Sequence, residues 1–177
     1  RMLAYSTISH VGFIALALSV GAVGERIAVF YVVVYALMSI AGFGLLTLLS
    51  QGDQGIATLE DLQGLSKRNG FMALMLMLIL LSMAGIPPFI GFIAKLQVLM
   101  LLVSLHHIGL AIFALIMSVI GAYYYVRVIK FMYFDPPAEN PAPITIGKLS
   151  LGHVLLGANG LLMLVLGIFP ALMLGWL

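Results

Sequence analysis

Long apolar runs separated by short polar stretches make up most of this 177-residue chain. A helix needs about 20 apolar residues to cross the hydrocarbon core of a bilayer, and every one of these runs has roughly that length or more. The runs lie at residues 3–21, 27–50, 70–105, 108–134 and 151–177. Barrel strands would instead alternate apolar and polar positions over about 10 residues, and that pattern is missing. The sequence therefore predicts an all-α integral membrane protein, a transmembrane helix bundle with about five spans.

The polar stretches between the runs predict the connections. We expect turns at 24–26 and 106–107 and a polar loop at 51–69. The stretch 135–150 is rich in proline, which removes backbone donors and biases each preceding residue out of the α region. We predict that it is an extended linker, on the cytoplasmic side, leading into a C-terminal transmembrane helix.

The run at 70–105 has an unusual length. As one helix it would extend about 54 Å, too long for a straight span, yet it is short for two spans with a turn. Gly85, Pro87, Pro88 and Gly91 interrupt its middle, and the two prolines must break the hydrogen-bond ladder there. The run is therefore either one span made of two half-helices or two separate spans.

Loop charges distinguish these two arrangements. With one broken span, one side of the membrane carries six Lys and Arg residues and the other carries only Arg26. With two spans, the split becomes three against four. Cytoplasmic loops are enriched in Lys and Arg, so the first arrangement is favoured. We predict one discontinuous helix broken at 85–91, with the start of the chain in the cytoplasm and its end outside.

The composition also indicates that most of the chain lies in a lipid bilayer. Hydrophobic residues make up 63% of the sequence and charged residues 8%, whereas soluble domains carry about 25% charged residues. The absence of cysteine excludes disulfides, thiolate metal sites and iron–sulfur ligation by this chain. We therefore expect no metal site and no cofactor in this chain. We also expect no nucleic-acid partner, because the basic residues form no stripe. The chain begins directly in a helical pattern without a signal peptide, so we expect it to be part of a longer one.

Lys95 is the candidate functional residue, because it is a charged residue well inside an apolar run. Ionisable groups at such positions cost a few kcal/mol to insert and usually face a bundle interior or an aqueous cavity, on ion paths or proton relays. A broken helix near the midplane is also a recurring feature of transporter sites. The alternatives are a lysine that extends to the membrane interface or one held in a static ion pair. We favour proton translocation.

His10 is the second candidate for proton translocation. Ser6 lies four residues before it on the same helix face and Ser9 lies next to that face, so the three can form a polar lining. An imidazole can pass a proton between its two nitrogens. The alternative is a packing histidine bonded to a backbone carbonyl, with the serines acting as hydrogen-bond links between helices.

Other polar and sulfur-containing residues are predicted to have structural roles. Arg127 and Lys130 follow the tyrosines at 123–125, a pattern typical of an aromatic belt with cationic anchors at the membrane interface. The eleven methionines show no regular ligand spacing, so apolar packing is a better explanation than a copper path.

Three motifs in order carry a resemblance to a known family: RMLAYSTISHVG at the start, LSMAGIPP leading into GFIAK, and AYYYVRV near residue 125. They resemble the antiporter-like membrane subunits of proton-pumping NADH:quinone oxidoreductase (respiratory complex I), of the subunit N type. The resemblance implies that this chain is the C-terminal part of such a subunit, and that the run at 70–105 is the family's discontinuous helix. It also implies a multi-pass protein of the bacterial inner membrane.

The same resemblance assigns roles and partners. Lys95 matches the lysine at the end of the family's central polar axis, and His10 matches a histidine of the corresponding helix in many relatives. The implied function is proton translocation without redox chemistry in this chain, inside an enzyme that is a translocase. NADH, FMN, iron–sulfur clusters and quinone are then expected on other subunits, and the partners are other membrane-arm subunits and lipid. The alternatives are a multisubunit cation/proton antiporter or a hydrogenase-linked membrane complex.

Overall fold

The computed structural model describes residues 2–49, 59–137 and 151–175, and every regular element in these ranges is helical. A single 3₁₀ turn, Glu60–Leu62, precedes the third helix. The helices are α1 (Met2–Leu18), α2 (Ala22–Leu49), α3 (Leu65–Arg68), α4 (Gly70–Ala84), α5 (Ile90–Ser104), α6 (Ile108–Tyr133), α7 (Leu151–Ile168) and α8 (Ala171–Leu174). By length and composition, α2 and α6 are each apolar and long enough to cross a membrane alone.

The first turn lies earlier in the chain than the sequence predicted. α2 begins at Ala22, so the turn expected at 24–26 is wrong and those residues are helical. Gly21 makes the turn instead, with a φ of +83° that residues with a side chain rarely adopt. Glu25 lies in the first turn of α2, where a carboxylate interacts favourably with the helix dipole. Glu25 and Arg26, which suggested a loop in the sequence, therefore lie near the start of α2.

Two further predicted segments differ from the structure. The polar loop at 51–69 contains the 3₁₀ turn and α3 in its described part, while 51–58 lie outside the described residues. The helix predicted over 151–177 is divided, because α7 ends at Ile168 and α8 begins after Pro170. A proline cannot donate to the preceding turn, which accounts for the interruption. Most of the predicted linker, 138–150, lies outside the described residues.

α4 and α5 pack one after the other against α6, which runs in the opposite direction. Near its C-terminal end, α6 accepts a hydrogen bond at the Phe131 carbonyl from the Gly64 amide, just before α4 begins. In its N-terminal half, α6 contacts α5 through a hydrogen bond between Ser118 and Lys95. α6 has 26 residues, so it is about 39 Å long. α4 and α5 therefore lie one after the other along α6, an arrangement that fits the predicted discontinuous helix.

Close packing of α4 against α5 depends on Gly91. The sequence assigned this glycine to the break, but the structure places it in the first turn of α5. A Cβ atom on Gly91 would lie 1.9 Å from the Ser82 carbonyl oxygen and 3.1 Å from Met38 Sδ. The hydroxyl of Ser82 also contacts this sulfur, at 3.3 Å. Gly91 therefore allows the end of α4, the start of α5 and α2 to meet without a side chain between them.

Candidate functional site

Lys95 lies on α5, and only 7% of it is exposed. Its Nζ donates to the carbonyl oxygens of Met83 and Ala84, both at 3.0 Å, and to the hydroxyl oxygen of Ser118 at 3.1 Å. The two carbonyls belong to the last turn of α4, where helix carbonyls have no partner within the helix and carry the negative end of its dipole. These four residues form the Lys95 site, in which neutral oxygen atoms surround a cationic group.

The break between the half-helices gives Lys95 access to these carbonyls. Gly85 ends α4 with a φ of +79°, and its amide bonds back to the carbonyls of Leu81 and Ser82. A Cβ atom on Gly85 would lie 2.8 Å from Lys95 Cδ, so the missing side chain also leaves room for the lysine. Pro87 and Pro88 occupy the connection before α5, where they cannot supply ladder donors. Of the positions predicted for the break, Gly85 lies directly against the Lys95 side chain.

His10 lies on α1 and is 1% exposed. Its Nδ1 is 2.9 Å from the Tyr31 hydroxyl oxygen, and its ring stacks on Tyr35 at a centroid distance of 4.7 Å. The other ring nitrogen, Nε2, is buried and has no partner among the described residues. Tyr35 itself donates to Thr7, at 2.7 Å. Two tyrosines of α2 thus hold the imidazole, and only one of them bonds to it.

A cavity of about 500 Å³ connects His10 with Lys95. It lies between α1, α5 and α6, and both predicted serines line it. Ser6 is buried and accepts a hydrogen bond from Tyr125, whereas Ser9 is exposed. The lining residues are Met2, Tyr5, Ser6, Ser9, His10, Lys95, Ser118, Gly121, Tyr124 and Tyr125. The side chains of Ser6, His10, Lys95 and Ser118 supply polar groups to this lining, and ordered water in a cavity needs such partners.

Arg127 and Lys130, the predicted interfacial anchors, lie away from this cavity near the C-terminal end of α6. Both side chains are exposed, and the Arg127 guanidinium lies 5.8 Å from the centre of the Phe131 ring. The three neighbouring tyrosines at 123–125 differ in burial. Tyr123 and its neighbour are exposed, but Tyr125 faces the interior because its position on the helix points toward α1.

Three residues of the site were missed by the sequence reasoning. Ser118 is an isolated hydroxyl in the middle of an apolar run, and Tyr31 of α2 and Tyr125 of α6 are buried tyrosines. A polar residue surrounded by apolar ones in a predicted span was the available signal for Ser118. Within the described residues, no three His, Cys, Asp or Glu side chains lie together as a metal site requires.

Comparison with known proteins identifies the family. Residues 1–141 match the model of the NADH:quinone oxidoreductase/Mrp antiporter transmembrane family. The chain belongs to this family. NADH-quinone oxidoreductase subunit N of Thioalkalivibrio sulfidiphilus is 49% identical over 175 residues, and that of Neisseria gonorrhoeae is 45% identical over 176 residues. These alignments cover 98% and 99% of this chain but 36% of each relative, in its C-terminal part, so the chain spans about a third of their length.

Solved structures of the NADH:quinone oxidoreductase/Mrp antiporter family show the same fold. A chain of respiratory complex I from Thermus thermophilus aligns with a TM-score of 0.80 at 31% identity, over 98% of this chain and 38% of its own length. A chain of the Mrp complex from Dietzia sp. aligns with a TM-score of 0.82 at 21% identity, over 97% of this chain and 40% of its own. The predicted all-α membrane fold and the predicted family are confirmed. The chain is a multi-pass protein of the bacterial inner membrane.

Proposed function

We propose that this chain is part of a non-redox, proton-translocating membrane-arm subunit of an NADH:quinone oxidoreductase. The observation that carries the proposal is the Lys95 site, a buried lysine held by the carbonyls of a broken helix beside a cavity that His10 also lines. Ionisable residues in membrane helices that face a cavity usually serve ion or proton movement. The subunit N relatives support the choice of complex, since each is named as part of this oxidoreductase.

Lys95 serves in this proposal as a group that holds and releases one proton. Its three hydrogen-bond partners are uncharged oxygens, so they stabilise the ammonium without a fixed anion that would lock it in the charged state. A change in charge elsewhere along the membrane arm then shifts the balance between the ammonium and the neutral amine. His10 is the second proton-carrying group, across the cavity from Lys95. Other membrane-arm subunits are the partners, and the carriers of NADH, FMN, iron–sulfur clusters and quinone are other subunits.

Replacement of Lys95 in the complete complex tests this function. Lys95→Met keeps most of the side-chain length and removes the titratable group, whereas Lys67→Met removes an exposed lysine of α3. We expect Lys95→Met to lower NADH-driven proton uptake by inverted membrane vesicles about tenfold or more, with a matching loss of quinone reduction. Lys67→Met should match the wild type. Assembled Lys95→Met complex with normal pumping and quinone reduction would leave the chain as a structural helix bundle.

A cation/proton antiporter is the second candidate, favoured by the fold shared with the Mrp complex and by the family that joins the two. A hydrogenase-linked membrane complex is a third assembly of the same kind. Co-purification distinguishes them, because only the respiratory complex contains NADH-oxidising subunits. Isolation of the affinity-tagged full-length protein with NADH-oxidising partners supports the first candidate. Isolation with membrane subunits alone, together with Na⁺/H⁺ exchange in vesicles, supports the antiporter.

A further inference from the structure

Lys95 has as many hydrogen-bond partners as its ammonium has protons. An ammonium carries three N–H donors and no acceptor, and the three donors meet Met83 O, Ala84 O and Ser118 Oγ. A water molecule in the cavity can therefore bond to the charged Lys95 only after one of these partners is displaced. Any proton that leaves Lys95 without such a displacement leaves along one of the three existing hydrogen bonds.

The three partners differ in whether they can pass a proton on. Peptide carbonyl oxygens, such as those of Met83 and Ala84, accept hydrogen bonds but hold no proton that they can release. A serine hydroxyl accepts through its lone pairs and donates through its own O–H. Ser118 also lines the cavity that His10 lines, and it is half-buried, so this residue adjoins both Lys95 and the cavity.

Resting on the function proposed above, we infer that the Ser118 hydroxyl is the proton relay between Lys95 and the cavity. In the outward step, one N–H proton of the ammonium moves to Ser118 Oγ while the hydroxyl proton moves to a cavity water. Lys95 becomes a neutral amine, the serine hydroxyl is restored and the water becomes hydronium, whose proton passes along further waters. The new O–H bond already points at Nζ, so the hydroxyl donates to the lone pair of the neutral amine. Reprotonation of Lys95 is the reverse of these steps.

Two variants of equal shape separate the effect of the Ser118 hydroxyl on pumping from the effect of side-chain volume. Ser118→Thr keeps the hydroxyl, and Ser118→Val has the same branched shape without it. We expect Ser118→Thr to pump near the wild-type rate and Ser118→Val to lose pumping by about tenfold or more. Ser104→Ala is the control for loss of a serine hydroxyl, because Ser104 of α5 bonds to the Leu101 carbonyl of its own helix. Equal pumping by the Thr and Val variants overturns the inference.

Two further measurements test whether Ser118 has only a structural role. If the branched side chains both prevent assembly, Ser118→Ala decides: reduced pumping supports the relay, and wild-type pumping overturns it. In a Lys95→Met background, the relay has no proton to pass, so Ser118→Val should cause no additional loss. An additional loss there shows a structural role and overturns the inference. Normal pumping by Lys95→Met alone contradicts the proposed function itself, whereas impaired Lys95→Met with active Ser118→Val contradicts only the relay.

Discussion

The hydroxyl oxygen of Tyr31 lies 2.9 Å from Nδ1 of His10, and this contact leaves Nε2 as the ring nitrogen without a protein partner among the described residues. A buried phenol requires an acceptor for its proton, and His10 is the one the structure provides. With Nδ1 as the acceptor, a neutral imidazole carries its proton on Nε2. We therefore infer that Tyr31 sets both the tautomer and the orientation of a ring that lines the cavity.

Tyr31→Phe is predicted to impair proton pumping while leaving the packing of α1 and α2 intact. Loss of the hydroxyl frees both tautomers of His10. Groups that orient metal-binding histidines contribute about tenfold or more, and we expect a loss of that order here. Tyr35→Phe is a matched control, since Tyr35 stacks on the same ring but bonds to Thr7. Proton uptake per NADH oxidised in inverted vesicles should fall for Tyr31→Phe alone. Equal values for the two variants would show that the hydroxyl does not act through His10.

The burial of Lys95 and the place of the helix break could be predicted from the sequence, because both depend on local signals. A charge in an apolar run costs free energy wherever the helix packs, and consecutive prolines interrupt a helix in any context. The partners of Lys95 were not predictable in the same way. Ser118 lies 23 positions further along the chain, and its contact depends on how α5 and α6 are aligned in three dimensions. A lone serine in a membrane helix most often bonds within its own helix, as Ser104 does.

Gly85→Ala is predicted to lower both stability and pumping. Alanine in the left-handed conformation costs about 1–2 kcal/mol, and the new Cβ atom would approach Lys95 Cδ to 2.8 Å. Gly21→Ala supplies the control, because Gly21 has a φ of +83° and no atom within 4 Å of its Cβ position. Both variants should show a similar loss of thermal stability, measured on the purified complex.

Only the Gly85 variant should lose proton pumping, since only its new methyl group displaces the lysine from the α4 carbonyls. An equal effect of the two substitutions on pumping would contradict the positioning of Lys95 by the break. A Gly85→Ala complex with normal pumping would show that the lysine side chain adjusts without losing its hydrogen bonds.

Gly91→Ala is predicted to prevent correct assembly. Its Cβ atom would lie 1.9 Å from a backbone oxygen, that of Ser82, so the two half-helices would have to separate. Gly12→Ala in α1 adds the same methyl group where no atom lies within 4 Å, and in a helix it should be neutral or stabilising by up to about 1 kcal/mol. Native gel electrophoresis of solubilised membranes should show much less intact complex for the Gly91 variant. Normal assembly of both variants would contradict the tight contact at the break.

The contact between Ser6 and Tyr125 is predicted to link α1 to α6 at the edge of the cavity. The Tyr125 hydroxyl donates to Ser6 Oγ, and both side chains are buried. Hydrogen bonds between membrane helices contribute about 0.6 kcal/mol on average and up to about 1.7 kcal/mol. In a double-mutant cycle, Ser6→Ala and Tyr125→Phe should each destabilise the purified complex, and the double variant should be no worse than the stronger single one. Fully additive losses would show that the two hydroxyls stabilise the bundle through separate contacts, and α1 would then be held mainly by α2.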